Sequence, residues 1–178
     1  MPFHNSQERI DAMVLTPREW AYLAGIIDGE GCIHITRFPP KPRYKTRIYQ
    51  LGLSVTNTNK PLMDWIENKL GGYRSHHNHR YGERRNQNQY WMWKASTRHA
   101  AEILKLVRPY LIGKADQADV GIAFQEHIEE AKHRGYERKG VTKGRPILTD
   151  EQIAVRESFY LRLIEIRKQS LIPLICLK

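Results

Sequence analysis

The period of the hydrophobic positions changes several times along the chain, and each change marks a new element. Residues 16–19, Thr-Pro-Arg-Glu, form a capping box with proline at the first helical position, and apolar residues then recur at helical spacing. Gly31 follows as a C-cap, and residues 32–37 alternate as a strand does. We therefore predict a helix that ends at Glu30 and leads directly into a strand.

A second strand is predicted over residues 46–56, after a proline-rich turn. Its alternating positions divide into an apolar face with Tyr49, Leu51, Leu53 and Val55, and an opposite face with Ile48, Gln50, Gly52 and Ser54. The apolar face is expected to lie on the core.

The next segments predict a helix, a hairpin and another helix. Asn59 and Pro61 open a helix that closes at two glycines, 71–72. A hairpin is expected at about 73–81 and 89–96, followed by a helix that ends at Pro109 and further helices after it. The order helix, strand, strand, helix, strand, strand, helix predicts an α+β fold.

The last part of the chain has a different character. Residues 134–145 are basic and contain glycines, and residues 149–152, Thr-Asp-Glu-Gln, form a capping box that opens a final helix. We predict a core domain at 1–134, a basic linker at 135–148 and a helical extension at 149–178. The final helix is expected to pack on the core or on a partner subunit.

Composition favours a single domain with a polyanionic partner. The chain has 178 residues, 40% of them apolar, and a formal net charge of +10, which favours binding to nucleic acid. No apolar run reaches the roughly eighteen residues of a membrane span, and no signal peptide is evident. We expect an intracellular protein without a membrane partner.

The first helix carries an unusual combination of small residues and acids. Ala21, Gly25 and Gly29 recur every fourth residue, so a second helix can approach this stripe at backbone distance. Glu30 would lie at the end of that helix pair, where a buried carboxylate is costly unless a cation or water compensates for it. The residues alone leave both a cation site and a solvated carboxylate open.

Residues 23–31, LAGIIDGEG, resemble the signature of the LAGLIDADG homing endonucleases and differ from it at Ile26, Gly29 and Glu30. The resemblance implies an αββαββα core whose curved antiparallel sheet lies along the DNA major groove, with extra helices at the C-terminus. It also implies a site-specific, intron-encoded endonuclease that hydrolyses both strands of a long, near-palindromic target.

The resemblance implies a set of catalytic residues. Glu30, with Gly29 beside it, matches the metal-binding position, where Mg²⁺ is expected and Ca²⁺ is expected to support binding without cleavage. Lys114, in the stretch 109–118, matches a lysine near the active-site water network. Asn57 stands where the family commonly has glutamine, and Lys60 is the basic residue nearest to a further family position and is expected to contact DNA.

The sheet face opposite Leu51 and Leu53 is expected to contact DNA. The predicted contacts are His34 and Thr36 on the first strand, Gln50 and Ser54 on the second, and Arg74, His76, Asn78 and Arg80 on the third. Asn pairs well with adenine and Arg with guanine, which suits sequence recognition. A solvated sheet face is the alternative for each position.

The motif occurs once, which in this family implies a homodimer. The stripe of Ala21, Gly25 and Gly29 would pack on its two-fold copy, so that both Glu30 side chains meet near the axis. Two other functions stay open: an RNA maturase that assists intron splicing, and a catalytically inactive DNA-binding regulator. The expected compartment is a bacterial cytoplasm or an organelle matrix, and the target sequence is not indicated.

Overall fold

The computed structural model describes residues 15–40, 47–77, 89–133 and 148–169. The elements are α1 (Pro17–Glu30), β1 (Gly31–Phe38), β2 (Ile48–Asn57), α2 (Lys60–Leu70), β3 (Tyr73–His77), β4 (Tyr90–Ser96), α3 (Thr97–Val107), α4 (Ala115–His133) and α5 (Asp150–Gln169). This order confirms the predicted α+β class. No helix in these ranges is long and apolar enough to cross a membrane.

The strands form one antiparallel sheet in the order β1-β2-β4-β3. One face is buried under the helices, because Ile33, Leu51, Leu53 and Trp93 are inaccessible to solvent and belong to the same core as residues of α1 to α4. The opposite face carries the alternate residues, and we call it the open face. The predicted two faces of β2 are thereby confirmed.

The pairing of β3 corrects part of the sequence prediction. Tyr73 lies opposite Lys94, which lies opposite Ser54 on β2, so the odd-numbered residues of β3 share the open face. Arg74 and His76, which we expected on the open face, therefore lie on the helix side of the sheet.

Contacts on the helix side show why the two side chains point there. Arg74 forms ion pairs with Asp64 and Glu67 of α2, the latter at 2.8 Å between Nε and Oε2. The His76 ring stacks on Trp91, with 4.9 Å between ring centroids. Both side chains therefore have partners away from the open face.

Helix α5 packs on the core, which is one of the two placements expected from the sequence. Leu163 is buried, and Phe159 contacts Phe124 of α4 edge-on, with ring centroids 5.8 Å apart. Glu157 binds both Arg37 of β1 and the Tyr49 hydroxyl of β2. The predicted linker falls almost wholly outside the described residues, so the division into core, linker and extension stays a prediction.

Candidate active site

Helix α1 places Glu30 at its junction with the sheet. The helix begins at the predicted capping box, in which the Glu19 N–H donates to the Thr16 hydroxyl at 3.3 Å and the Glu19 carboxylate accepts the Thr16 N–H at 2.7 Å. The Thr16 N–H, together with the Lys69 ammonium, lowers the pKa of Glu19 to about 2. The capping box fixes the start of α1.

Gly31 fixes the other end of α1. A Cβ atom at residue 31 would lie 2.6 Å from the Ile27 carbonyl oxygen, so only glycine allows the chain to pass directly from helix to strand. Glu30 is exposed at this junction. It makes no hydrogen bond or ion pair within the described ranges, so its carboxylate oxygens are available to a ligand.

Asp28 organises the loop that contains Lys114. Its Oδ2 accepts the N–H groups of Ile112 at 2.9 Å and Gly113 at 3.1 Å, and its Oδ1 accepts the Lys114 N–H at 2.9 Å. The Lys114 ammonium in turn donates to the carbonyl oxygens of Ile27 at 2.8 Å and Asp28 at 2.6 Å. A cation at this position also complements the negative end of the helix dipole.

Burial and nearby negative charges have opposite effects on the Lys114 ammonium. Burial lowers the pKa of Lys114, and the charge of Arg167 lowers it further, whereas the negative charges of Asp28 and Glu30 oppose the shift. The fold thus brings a half-buried ammonium into the electrostatic field of an exposed carboxylate. Such a pair can bind a phosphate group and a divalent cation side by side.

Asn57 and Lys60 are placed differently from each other. Gly31 pairs with Val55, so Asn57 lies at the end of β2 that is nearest to Glu30. Its Oδ1 accepts the Asn59 N–H at 2.8 Å and helps to start α2. The Lys60 ammonium binds Asp64 at 2.6 Å on the same helix, so the structure does not join it to Glu30 and Lys114.

The open face collects four of the residues expected to contact DNA. Thr36 lies opposite Gln50, His34 opposite Gly52, and Ser54 opposite Cys32, so all of them share one surface. Each of the four, His34, Thr36, Gln50 and Ser54, is partly exposed.

Lys94 and Tyr73 extend this surface, and neither was among the DNA contacts predicted from the sequence. Trp93, next to Lys94, is large and apolar, which indicates a buried position, and the structure shows it fully buried. Because adjacent residues of a strand face opposite sides of the sheet, Lys94 faces outward. Asn78 and Arg80 lie outside the described residues.

The small-residue stripe of α1 is open. Ala21, Gly25 and Gly29 are exposed, whereas Leu23 and Ile27 on the other side of the helix are fully buried. A Cβ atom placed at Gly25 or Gly29 would have no neighbour within 4 Å. Nothing within the described chain requires glycine at these positions, and the face has room for a second helix.

The sequence was compared with models of known protein families and with curated proteins. The sequence model of the LAGLIDADG endonucleases matches residues 23–115, which is more than half of the chain. No curated protein matches the sequence significantly.

Several solved structures share the fold. The homing endonuclease I-CvuI in complex with its target in the presence of calcium has a TM-score of 0.61 at 15% identity, over 84% of this chain and 82% of that chain. The archaeal intron-encoded homing endonuclease I-Vdi141I complexed with DNA has a TM-score of 0.60 at 10% identity, over 84% of both chains. For I-LtrWI bound to target DNA the values are 0.56 and 18%, over 84% of this chain and 45% of that chain.

Proposed function

Because the chain belongs to the LAGLIDADG endonuclease family, we propose that it is a homodimeric, divalent-metal-dependent DNA endonuclease that cuts both strands of a long, near-palindromic target. The observation that carries the proposal is the arrangement at the end of α1. There Asp28 holds the loop of Lys114, and the ammonium lies within the field of the exposed Glu30 carboxylate.

The donor set at the end of α1 fits a hard divalent cation. The Glu30 carboxylate and the Gly29 carbonyl, one of the helix-terminal carbonyls that have no partner within the helix, are oxygen ligands of the kind that Mg²⁺ prefers. Within the described residues no group of three His, Cys, Asp or Glu side chains could hold a metal. We propose that the second Glu30 of a dimer and phosphate oxygens of the DNA complete the site.

When bound, Mg²⁺ would supply an activated water and stabilise the leaving oxygen. The protein's own part is to position groups around the scissile phosphate. Lys114 would hold a positive charge where negative charge develops on the phosphate, and the bonds to the Ile27 and Asp28 carbonyls would keep the ammonium in place. Asn57 is the nearby polar side chain proposed to orient water.

The open stripe on α1 supports a two-fold dimer. Two copies of Gly25 and Gly29 would allow the two α1 helices to meet at backbone distance, which brings both Glu30 side chains to the axis. The fold covers 84% of the I-Vdi141I chain but 45% of the longer I-LtrWI chain. A match to about half of a longer chain supports an assembly in which two such units pair.

The open face of the sheet is the proposed DNA surface. Polar residues of β1 and β2 and the exposed Lys94 share it, and a two-stranded ribbon fits the major groove. The charge of +10 supports DNA affinity that falls with rising salt. Two half-sites read by two identical sheets account for a near-palindromic target.

The test is cleavage of a randomised duplex library in Mg²⁺ by the wild type and by Glu30→Gln. The amide keeps the size of the side chain and removes the charged ligand, so we expect enrichment of a two-fold-related site by the wild type only. Glu30→Gln should still bind that site in Ca²⁺. The matched control is Glu126→Gln at an exposed position of α4, which should cleave normally.

The same experiment separates the other functions. Cleavage by Glu30→Gln at the wild-type rate would contradict the metal-ligand role. Wild-type protein that binds a duplex in Ca²⁺ but never cuts it in Mg²⁺ would indicate a DNA-binding regulator. Selective binding of structured RNA in place of duplex DNA would indicate a maturase.

A further inference from the structure

The His34 ring rests directly on the backbone of the neighbouring strand. His34 on β1 lies opposite Gly52 on β2, on the open face of the sheet. A Cβ atom at residue 52 would lie 2.4 Å from the imidazole Nε2 and 2.7 Å from Cε1. The ring can occupy this position only because residue 52 is glycine.

The hydrogen bond of the ring determines which nitrogen is free to accept. Nδ1 lies 3.3 Å from the Cys32 carbonyl oxygen. A carbonyl oxygen only accepts, so Nδ1 must carry the proton and donate it. In a neutral imidazole the other nitrogen, Nε2, is then an acceptor.

The surroundings keep the ring neutral. Burial lowers the pKa of His34, and the charges of Arg167 on α5 and Lys94 on β4 lower it further, against the opposing effect of the Cys32 carbonyl. The lowered pKa of His34 favours the neutral ring, with Nε2 as an acceptor, at neutral pH.

The Nε2 atom is available to a ligand. It makes no hydrogen bond within the described ranges, and it is not among the buried polar atoms that lack a partner, so it reaches solvent. The open face thus presents a fixed acceptor at His34, which lies within the electrostatic influence of Lys94 and Arg167.

We propose that His34 reads one base pair in each half of the target as a hydrogen-bond acceptor, and that it selects the exocyclic amino group of adenine or cytosine. This inference rests on the proposed function, which places the major groove on the open face. In that groove only adenine N6 and cytosine N4 offer donors, whereas guanine and thymine present acceptors that would leave Nε2 unpaired. A preference of about tenfold is expected from one such contact.

The test compares the base preference of the wild type with those of His34→Ala and Gly52→Ala. In Gly52→Ala the three atoms nearest to the new methyl group all belong to the His34 ring, so the substitution acts first on the ring, and thermal unfolding checks that the variant is folded. Binding selection in Ca²⁺ from a library gives the preference at every position. The position that His34 reads is the one at which the base preferences of the wild type and His34→Ala differ most.

We expect both single variants to lose the preference at that position by about tenfold, and the double variant to lose no more than either one. Glu126→Gln, at an exposed position of α4, is the control and should keep it. In addition, an adenine or cytosine analogue that lacks the amino group at this position should weaken binding of the wild type about tenfold and leave His34→Ala unaffected.

The outcomes separate this inference from the function on which it rests. A wild-type preference for guanine or thymine at that position, or an unchanged profile in either single variant, would overturn the acceptor role while leaving the endonuclease intact. A wild type that selects no duplex sequence at all would overturn the proposed function itself. As pH falls through the lowered pKa of His34, Nε2 becomes a donor, so the preference should shift toward guanine or thymine in the wild type only.

Discussion

Replacement of Asp28 by Asn tests whether helix α1 positions Lys114 by binding the backbone of residues 112–114. Asp28 presents two carboxylate oxygens to three N–H groups of residues 112–114. Asparagine has nearly the same shape but only one acceptor oxygen. The substitution therefore changes hydrogen bonding and charge with little change in packing.

The hydrogen bonds of Asp28 determine how much stability the substitution should remove. If the asparagine carbonyl takes the place of Oδ2, the bonds from Ile112 and Gly113 persist as neutral hydrogen bonds, and the amide NH₂ faces the Lys114 N–H. A hydrogen bond to a charged group contributes about 1.5–3 kcal/mol and a neutral one about 1 kcal/mol. Since Asp28 is only half-buried, we expect the free energy of unfolding to fall by about 2 kcal/mol.

The effect on catalysis follows from the position of the ammonium. A loop that is no longer held by Asp28 lets the Lys114 side chain leave the Ile27 and Asp28 carbonyls. A displacement of about 1 Å can reduce a rate by about a hundredfold. We therefore expect kcat to fall by about ten- to a hundredfold, with little change in KM because the DNA surface is untouched.

The assay combines urea unfolding with cleavage kinetics over a range of DNA concentrations, which gives kcat and KM separately. Asp119→Asn is the matched control, because Asp119 is exposed and pairs only with the Arg108 guanidinium, at 2.6 and 2.7 Å, within the described residues. An exposed pair contributes about 0–1 kcal/mol, and this variant should cleave normally. A wild-type kcat in Asp28→Asn, with the protein fully folded, would refute the positioning role.

Three further predictions address the other parts of the site. Gly25→Leu should dissociate the dimer in light scattering, whereas Ala123→Leu, at an exposed position of α4, should not. Lys114→Met should slow cleavage by orders of magnitude. Burial lowers the pKa of Lys114 from 10.5, so the unfolded chain holds that proton more tightly than the folded protein does. As pH increases toward 10.5, the free energy of unfolding should therefore rise, and the wild-type cleavage rate should fall because the ammonium loses its charge. Lys114→Arg should keep its rate in this pH range. Arg74→Ala should lower stability and leave the salt dependence of DNA binding unchanged, whereas Lys94→Ala should reduce the slope of log K against log salt by about 1.

The elements with strong local signals were predicted from the sequence. The capping box at residues 16–19 and the glycine at 31 set both ends of α1, because capping depends on residues only a few positions apart. The apolar alternation of β2 correctly separated its buried face from its open face, because one face of that strand lies on the core.

The third strand shows where this reasoning fails. Its residues, Tyr-Arg-Ser-His-His, have no apolar alternation, so the sequence did not reveal which residues face the helices. We assigned Arg74 to the open face because arginine suits DNA. The deciding partners, Asp64 and Glu67, lie three residues apart on α2 and bind Arg74 across the gap between helix and sheet. The face of a polar strand is set by such partners and not by its own composition.

The hydrogen bonds of Asp28 to the loop of Lys114 were not predicted from the sequence, for a related reason. Its partners are backbone N–H groups of residues 112–114, which carry no side-chain signature in the sequence. The proposed roles of α1 explain why its motif is nonetheless so recognisable. One side packs on the core through Leu23 and Ile27, another offers glycines to a partner, and the C-terminal end presents Asp28 and Glu30. Most positions of α1 would then accept few residue types. The residues of the open face, in contrast, would have to match only the proposed DNA target, so they could change when the target changes.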